Sequence, residues 1–102
     1  LYEKYKQAFA GIKEVKLMKE MIGSKSNYWL QTIILDKANL KFRDLIIKKT
    51  NDLNIGTRPV WQTLNKNNHL RSYPKMNLKN AINLEKRIIN LPSSPILCQK
   101  KK

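Results

Sequence analysis

The segment NIGTRPVWQTLN, residues 54–65, concentrates residue types that can recognise a ligand. Arg58 stands here although most basic residues of the chain are lysines. Pro59 restricts Arg58 to extended backbone, and Gly56 would let another group approach the chain closely. A guanidinium at a defined point presents a planar fork to phosphate or carboxylate, whereas lysine supplies a point charge. The residues alone leave two interpretations open: Arg58 binds an anionic ligand, or it pairs with a carboxylate inside its own domain.

A second group of candidate residues is NYW, residues 27–29, at the start of an apolar segment. Tryptophans are more often core residues, each contributing about 2–3 kcal/mol of burial, than platforms for a ligand. Trp29 and Trp61 are therefore expected in the core on composition alone. Asn27 and Tyr28 are better candidates for an exposed rim.

The sequence contains none of the common catalytic constellations. Its three glycines are far apart and form no phosphate-binding loop, and one His and one Cys make neither a zinc site nor a nucleophile–base pair. The seven acidic residues are dispersed, which argues against paired catalytic carboxylates. His69 and Cys98 are expected to be ordinary residues without a chemical role.

The hydrophobic pattern predicts the order helix, strand, strand, helix, strand, helix and tail. The segment 27–35 carries apolar residues on both faces, which favours a central strand that is covered on both sides. Asn54 is expected in a left-handed conformation after the second helix. The predicted elements are a helix at 1–10, strands at 15–18 and 27–35, a helix from Asp36 or Asn39 to about 53, an edge strand at 55–61, a helix from Asn77 to about 87, and an extended loop at 90–95.

Composition predicts one small soluble, intracellular domain. The chain has 102 residues, 41% hydrophobic, which allows a core and argues against disorder. No segment approaches the roughly 20 apolar residues of a membrane span, and no secretory signal opens the chain. The net charge of +14 suggests a polyanionic partner, or the lysine-, asparagine- and isoleucine-rich composition of an AT-rich coding sequence. Because the lysines are scattered, with one dense block at Lys100–Lys102, the charge alone is a weak argument.

Three blocks resemble a known family in their order and spacing: SNYWLQTIILD at 26–36, IGTRPVWQTLN at 55–65 and LKNAINLEKRIINLPSSP at 78–95. They are similar to the C-terminal small domain of the DegT/DnrJ/StrS family of pyridoxal-phosphate-dependent sugar-nucleotide aminotransferases. The likeness is greatest to the branch that aminates 4-keto-6-deoxy UDP-sugars toward legionaminic-acid- or bacillosamine-type sugars. The chain departs from many members in having Asn54 for glycine, Asn65 for histidine, and the ending ILCQKKK in place of a last helix.

The resemblance implies that residues 1–102 are a single α+β small domain of a fold-type-I aminotransferase, with a short, mostly antiparallel sheet and flanking helices. The intact family enzyme is a longer, homodimeric protein. Its Schiff-base lysine, the acidic partner of the pyridine nitrogen and the phosphate-binding hydroxyls lie upstream, and nothing here matches them. Pyridoxal phosphate therefore belongs to the intact enzyme. This chain alone is expected to bind no cofactor and to be inactive, with no catalytic residue or metal ligand.

The resemblance also implies which residues meet the substrate. Arg58 would face a phosphate of the nucleotide sugar or a neighbouring carboxylate. The intact enzyme would transfer an amino group from an amino acid, with glutamate the expected donor, to a 4-keto-6-deoxy nucleotide sugar in surface glycan biosynthesis, in the cytoplasm. The implied substrate-binding residues are Asn27, Tyr28, Trp29, Arg58, Trp61 and Asn65.

Two other hypotheses remain from the residues. A small basic nucleic-acid-binding protein would show an affinity that falls steeply with salt, but the arginines are few and no run of aromatics accompanies the basic residues. An inactive, truncated gene product would be marginally stable, because its sheet would lack the large domain, and would unfold with poor cooperativity.

Overall fold

Four short strands form one sheet in the part of the chain that the computed structural model describes, residues 1–99. Their order is β1-β2-β4-β3, and every pairing is antiparallel. This confirms the expected α+β fold. The strands are β1 (Val15–Leu17), β2 (Gln31–Leu35), β3 (Arg58–Pro59) and β4 (Ile88–Leu91); the helices are α1 (Tyr2–Phe9), α2 (Leu40–Asp52) and α3 (Lys79–Glu85); 3₁₀ helices cover Leu64–Lys66, Asn68–Leu70 and Pro95–Cys98.

The core lies on one face of the sheet. Ile33, Leu35 and Ile89 are buried there, because alternate residues of an extended strand point to the same face. Side chains from α1, α2 and the flanking strands pack against these three: Phe9, Val15, Leu17, Ile46, Ile47 and Leu91.

β2 is central, as expected, but only one of its faces is fully covered. Thr32 and Ile34, which alternate with the core residues, are half-buried. The expectation of a strand buried on both faces was therefore wrong for these residues. We call the side of the sheet opposite Ile33 and Ile89 the open face.

β2 begins at Gln31, four residues later than predicted. Tyr28 has a positive φ of 48°, which breaks the extended conformation. The backbone N–H of Tyr28 donates to Ser26 Oγ, and that of Trp29 donates to Asn27 Oδ1. Ser and Asn side chains that bond to nearby backbone favour turns over strands, so the NYW segment forms a turn.

α2 begins and ends where the sequence indicates. Asn39 is its N-cap, and Asn39 Oδ1 accepts a hydrogen bond of 3.1 Å from the N–H of Phe42. Asn54 follows the helix with a φ of 62°, which confirms the predicted left-handed conformation.

The spacing of the apolar residues predicts one stripe along the second helix, formed by Ala38, Phe42, Leu45, Ile46 and Leu53, and this prediction was partly wrong. Ile46 does pack on the core, but Phe42, Leu45 and Leu53 are exposed, and Ile47 takes the second core position. The polar contacts of α2 explain this rotation, because Arg43 donates to the backbone oxygen of Glu85 and Thr50 bonds with Thr57. Residues 43, 46, 47 and 50 lie on one side of a helix, and this side faces the sheet.

β4 was missed by the sequence analysis, which placed residues 90–95 in an extended loop. Ile88–Leu91 form the second interior strand, between β2 and β3, and Ile89 is completely buried. Pro92 ends this strand, and its presence made the local pattern resemble a loop. The predicted start of α3 is off by one residue: Leu78 is the N-cap and has no side-chain cap, although Asn77 Oδ1 accepts from the N–H of Lys79 at the start of the helix.

Candidate functional site

A row of polar residues crosses the open face of the sheet. In the strand register Thr32 is opposite Asn90, and Asn90 is opposite Arg58. Directly opposed residues of antiparallel strands point to the same face, with Cβ atoms about 5 Å apart. Thr32, Asn90 and Arg58 therefore lie side by side on β2, β4 and β3, and we call these three residues the polar row.

Arg58 is exposed on the edge strand and has no acidic partner in the described part of the chain. The ion pairs among residues 1–99 involve other basic residues. The arginine side chains that donate hydrogen bonds there are those of Arg43 and Arg87. The structure thus argues against an arginine paired with a carboxylate in the core. Its guanidinium is available to an external anion.

The backbone before Arg58 is anchored to the C-terminal end of α2. Thr57 is buried, its hydroxyl bonds with that of Thr50, and Asn51 Nδ2 donates to the backbone oxygen of Thr57 at 3.0 Å. Because Thr57 points into the core, the next residue of the strand points to the open face. A Cβ at Gly56 would meet no atom of residues 1–99 within 4 Å, so no group in this part of the chain makes a close approach there.

The NYW turn lies at the same end of the sheet as Arg58. Gln31 is opposite Leu91 and Arg58 is opposite Asn90, so β2 and β3 begin at the same end of β4. Asn27 and Trp29 are exposed, Trp29 to 70%, which contradicts a core position for this tryptophan.

Tyr28 is half-buried and is held by contacts within the chain. Its ring stacks on that of Tyr2, with centroids 3.9 Å apart, and its hydroxyl accepts from the N–H of Glu20. Desolvation raises the pKa of Tyr2, and its hydrogen bond and charge interaction with Tyr28 raise it further. The turn therefore has an ordered side chain at its centre and two exposed side chains beside it.

A cleft of about 340 Å³ lies beside this turn. Asn27, Tyr28, Gln31 and Ser93 are among its lining residues. Gln31 is only 4% exposed, its Nε2 donates to the backbone oxygen of Tyr28, and its Oε1 has no partner among residues 1–99. The cleft is thus polar as well as apolar. Gln31 shares the core face with Ile33 and Leu35, so its side chain lies on the face of the sheet opposite Arg58.

Trp61 and Asn65 lie beyond the opposite end of β3. The N–H of Val60 donates to the oxygen of Ile88, at the start of β4. At about 3.3 Å per residue, the Ile88 level is roughly 7 Å along the strand from the Asn90 level. Trp61 follows and is 77% exposed, so the core interpretation was wrong here also.

Asn65 belongs to the 3₁₀ helix Leu64–Lys66 and is half-buried. Its Oδ1 and Thr63 Oγ1 are buried without a partner in the described part of the chain. The next residue, Lys66, forms an ion pair of 2.6 Å with Glu85. The structure therefore separates the six predicted residues: Arg58 and the NYW turn share one end of the sheet, whereas Trp61 and Asn65 belong to the other.

Sequence reasoning missed Thr32 and Asn90. Asn90 is a single polar residue between Ile89 and Leu91, and this could have marked it as an open-face position; Thr32 follows another polar residue, Gln31, and carries no such signal. Only the register shows that they are adjacent, because 58 residues of chain separate them.

The described residues, 1–99, show no arrangement suited to pyridoxal phosphate. Every lysine of residues 1–99 is exposed on the surface. The one buried acid there, Glu85, is already paired with Lys66. The same residues hold no group of three or more potential metal ligands, and no helix among them could span a membrane.

Solved structures share this fold. The aminotransferase TlmJ from Streptoalloteichus hindustanus superposes with a TM-score of 0.75 at 17% identity, over 90% of this chain and 24% of that one. The sugar aminotransferase CalS13 from Micromonospora echinospora gives a TM-score of 0.73 at 16% identity, over 90% of this chain and 23% of that one. The chain thus spans about a quarter of the length of each protein.

Comparison with curated protein sequences gives no significant match. The sequence model of the DegT/DnrJ/EryC1/StrS aminotransferase family, in contrast, matches residues 1–102, the whole chain. Together with the antiparallel sheet and its flanking helices, this match shows that the chain belongs to the DegT/DnrJ/EryC1/StrS aminotransferase family.

Proposed function

We propose that this chain is the small domain of a pyridoxal-phosphate-dependent aminotransferase and that Arg58 binds the anionic part of a nucleotide-sugar substrate. The observation that carries the proposal is the state of Arg58: anchored through Thr57, exposed, and without an acid partner among residues 1–99. A guanidinium that extends from an anchored backbone and has no counter-charge among residues 1–99 is suited to a phosphate or carboxylate from outside.

Membership of the family supports the reaction that we propose. The intact enzyme would move an amino group from an amino acid, with glutamate the expected donor, to a 4-keto-6-deoxy nucleotide sugar for a surface glycan. Pyridoxal phosphate would supply the carbonyl that carries the amino group between the two substrates. The large domain and a second subunit would provide its binding site, and residues of this chain would bind and orient the sugar nucleotide.

The half-exposed apolar residues of the open face support the proposal that a second domain packs there. Ile34, Ile88 and Val60 are only half-buried there, and Lys16 is exposed beside them. Leaving apolar side chains of an interior strand half-exposed forgoes burial worth about 25 cal/mol per Å². A large domain packed on part of this face would supply that burial and place Arg58 at the boundary between the two domains.

The Asn27–Trp29 turn extends the proposed site. Its exposed side chains, Asn27 and Trp29, lie at the end of the sheet where Arg58 begins β3 and would be available for the sugar or the base. Trp61 and Asn65 would reach the same ligand only if it extended along the open face. A nucleotide sugar is long enough to touch both ends, so we keep these residues as contacts of its more distant parts.

The test is binding of UDP to the chain by calorimetry at about 150 mM salt, where surface charges are screened within about 8 Å. The Arg58→Gln variant should bind at least about tenfold more weakly, because a hydrogen bond to a charged group contributes about 1.5–3 kcal/mol. Arg58→Lys should restore only part of the affinity.

Arg71→Gln is the matched control, since Arg71 is also an exposed arginine. An equal loss of affinity in both variants would mean that UDP binding depends only on the net charge of +14 and not on the position of Arg58. Unchanged affinity in Arg58→Gln would refute the assignment of Arg58. The small basic nucleic-acid-binding alternative has less support, because Trp29 precedes β2 and Trp61 follows β3, at opposite ends of the sheet, so the two do not form one stacking surface.

A further inference from the structure

We propose that Asn90, oriented by Thr32, is a second anion-binding residue beside Arg58 and that the two together select a phosphate group. The inference rests on the proposed function of Arg58 and adds to it a residue and a ligand class. Asn90 lies on an interior strand, so its backbone is held from both sides by β2 and β3.

The hydroxyl of Thr32 orients the side-chain amide of Asn90. Thr32 Oγ1 donates to Asn90 Oδ1 at 2.9 Å, between strands that are paired in register. The amide oxygen is thus directed toward β2. The nitrogen occupies the other branch of the planar amide, on the side of β4 where Arg58 is the in-register partner.

Arg58 and Asn90 together present only donors. The guanidinium carries five N–H groups and the amide nitrogen carries two, while the amide oxygen is already engaged by Thr32. Neither set of N–H groups has an acceptor among residues 1–99. Their Cβ atoms are about 5 Å apart, so the two side chains can contact the same anionic group of a ligand.

The number of donors favours phosphate over carboxylate. The planar fork of Arg58 can hold two oxygens of either anion. A terminal phosphate has a third oxygen out of that plane, which the Asn90 nitrogen can reach from the neighbouring strand. A carboxylate has no third oxygen, so Asn90 adds less to its binding.

A purely structural role for Asn90 makes different predictions. In that case the Thr32–Asn90 bond would stabilise the pairing of β2 with β4, and anion affinity would not depend on the amide nitrogen. The Asn90→Leu variant separates the two roles. Leucine can neither accept from Thr32 nor donate to an anion, so a purely structural role predicts lower stability with unchanged pyrophosphate affinity.

The experiment is a titration of the full chain with inorganic pyrophosphate, followed by the ¹H–¹⁵N side-chain signals of Arg58 and Asn90. We expect both signals to shift with a single Kd. Asn90→Leu should bind pyrophosphate at least about tenfold more weakly when both proteins are measured well below their unfolding midpoints. Thr32→Val, which frees the amide to rotate, should weaken binding by a smaller factor.

Glutarate provides the carboxylate arm of the experiment, and we expect its affinity to be nearly unchanged by Asn90→Leu. Movement of the Arg58 signal alone would overturn this inference and leave the proposed function intact. If neither signal moves, both fail. Equal dependence of glutarate and pyrophosphate on Asn90 would overturn the selection of phosphate.

Discussion

Lys66 forms a 2.6 Å ion pair with Glu85, whose side chain is 7% exposed. The pair joins the 3₁₀ helix that follows β3 to the end of α3, across 19 residues of chain. Arg43 of α2 donates to the backbone oxygen of the same glutamate, so three segments meet at this residue. The Lys66–Glu85 ion pair therefore holds the loop that contains Trp61 and Asn65 against the rest of the domain.

Lys66→Ala should destabilise the chain by about 1–3 kcal/mol, because it leaves a buried carboxylate without its partner while Lys66 itself is partly solvated. Urea denaturation followed by far-UV circular dichroism measures this. The control is Lys48→Ala, which removes the exposed pair with Asp52 and should cost no more than about 0.5 kcal/mol. Equal effects of the two variants would show that Glu85 is solvated.

Ile89→Ala should be among the most destabilising single substitutions, at about 2–5 kcal/mol, because Ile89 is fully buried at the centre of the sheet. The neighbouring Ile88 is half-buried on the open face, and Ile88→Ala should cost clearly less. Thermal unfolding of both variants measures the difference. Similar losses would mean that the open face is as well packed as the core.

Thr57→Val should weaken UDP binding although Thr57 is buried and does not reach the open face. The change removes the hydroxyl that bonds with Thr50 and with Asn51, and so loosens the backbone that positions Arg58. We expect a stability loss of about 1–3 kcal/mol from the unpaired partners. Affinity should be measured well below the unfolding midpoint. Full affinity in the folded variant would show that the anchor does not position Arg58.

Ionisation of the Tyr5 hydroxyl should lower the stability of the fold at high pH. Burial raises its pKa, with a smaller contribution from Cys98, and its hydroxyl donates to the backbone oxygen of Pro92 at 2.7 Å. A raised pKa in the folded state means that the contribution is complete below the unfolded value of about 10 and is lost as the pH rises through the folded pKa.

The Tyr5→Phe variant should be about 1 kcal/mol less stable than wild type at pH 7. The difference between the two proteins should shrink as the pH rises above about 10. Urea denaturation of both proteins from pH 7 to 11 measures this difference, which cancels the titration of the other tyrosines. A constant difference across this range would contradict the prediction.

Asn54→Gly should leave stability equal or raise it by up to about 1 kcal/mol, because Asn54 has a φ of 62° and glycine adopts that conformation without strain. Asn54→Ala should lower stability by about 1 kcal/mol. The thermal midpoints of the two variants measure both changes in stability. If alanine were tolerated as well as glycine, the left-handed conformation would not be required.

Local features of this chain could be predicted from its residues. Asn39, Asn54 and Asn77 mark helix ends, and each acts through its own backbone or a bond to a residue two or three positions away. The exposed Arg58 on an edge strand also follows from local rules, because Pro59 cannot donate to a sheet. The three segments that resemble the family could also be recognised from the sequence, because each is a continuous stretch of residues.

The interior of the sheet could not be predicted in this way. Ile88–Leu91 form a strand because β2 and β3 pair with both of its edges, and those partners lie far away along the chain. The same pairing places Asn90 between Thr32 and Arg58, and it places Trp61 at the end of the sheet opposite the NYW turn. Helix caps depend on hydrogen bonds within a few residues, whereas a strand and its neighbours are defined only when distant segments bury one face together.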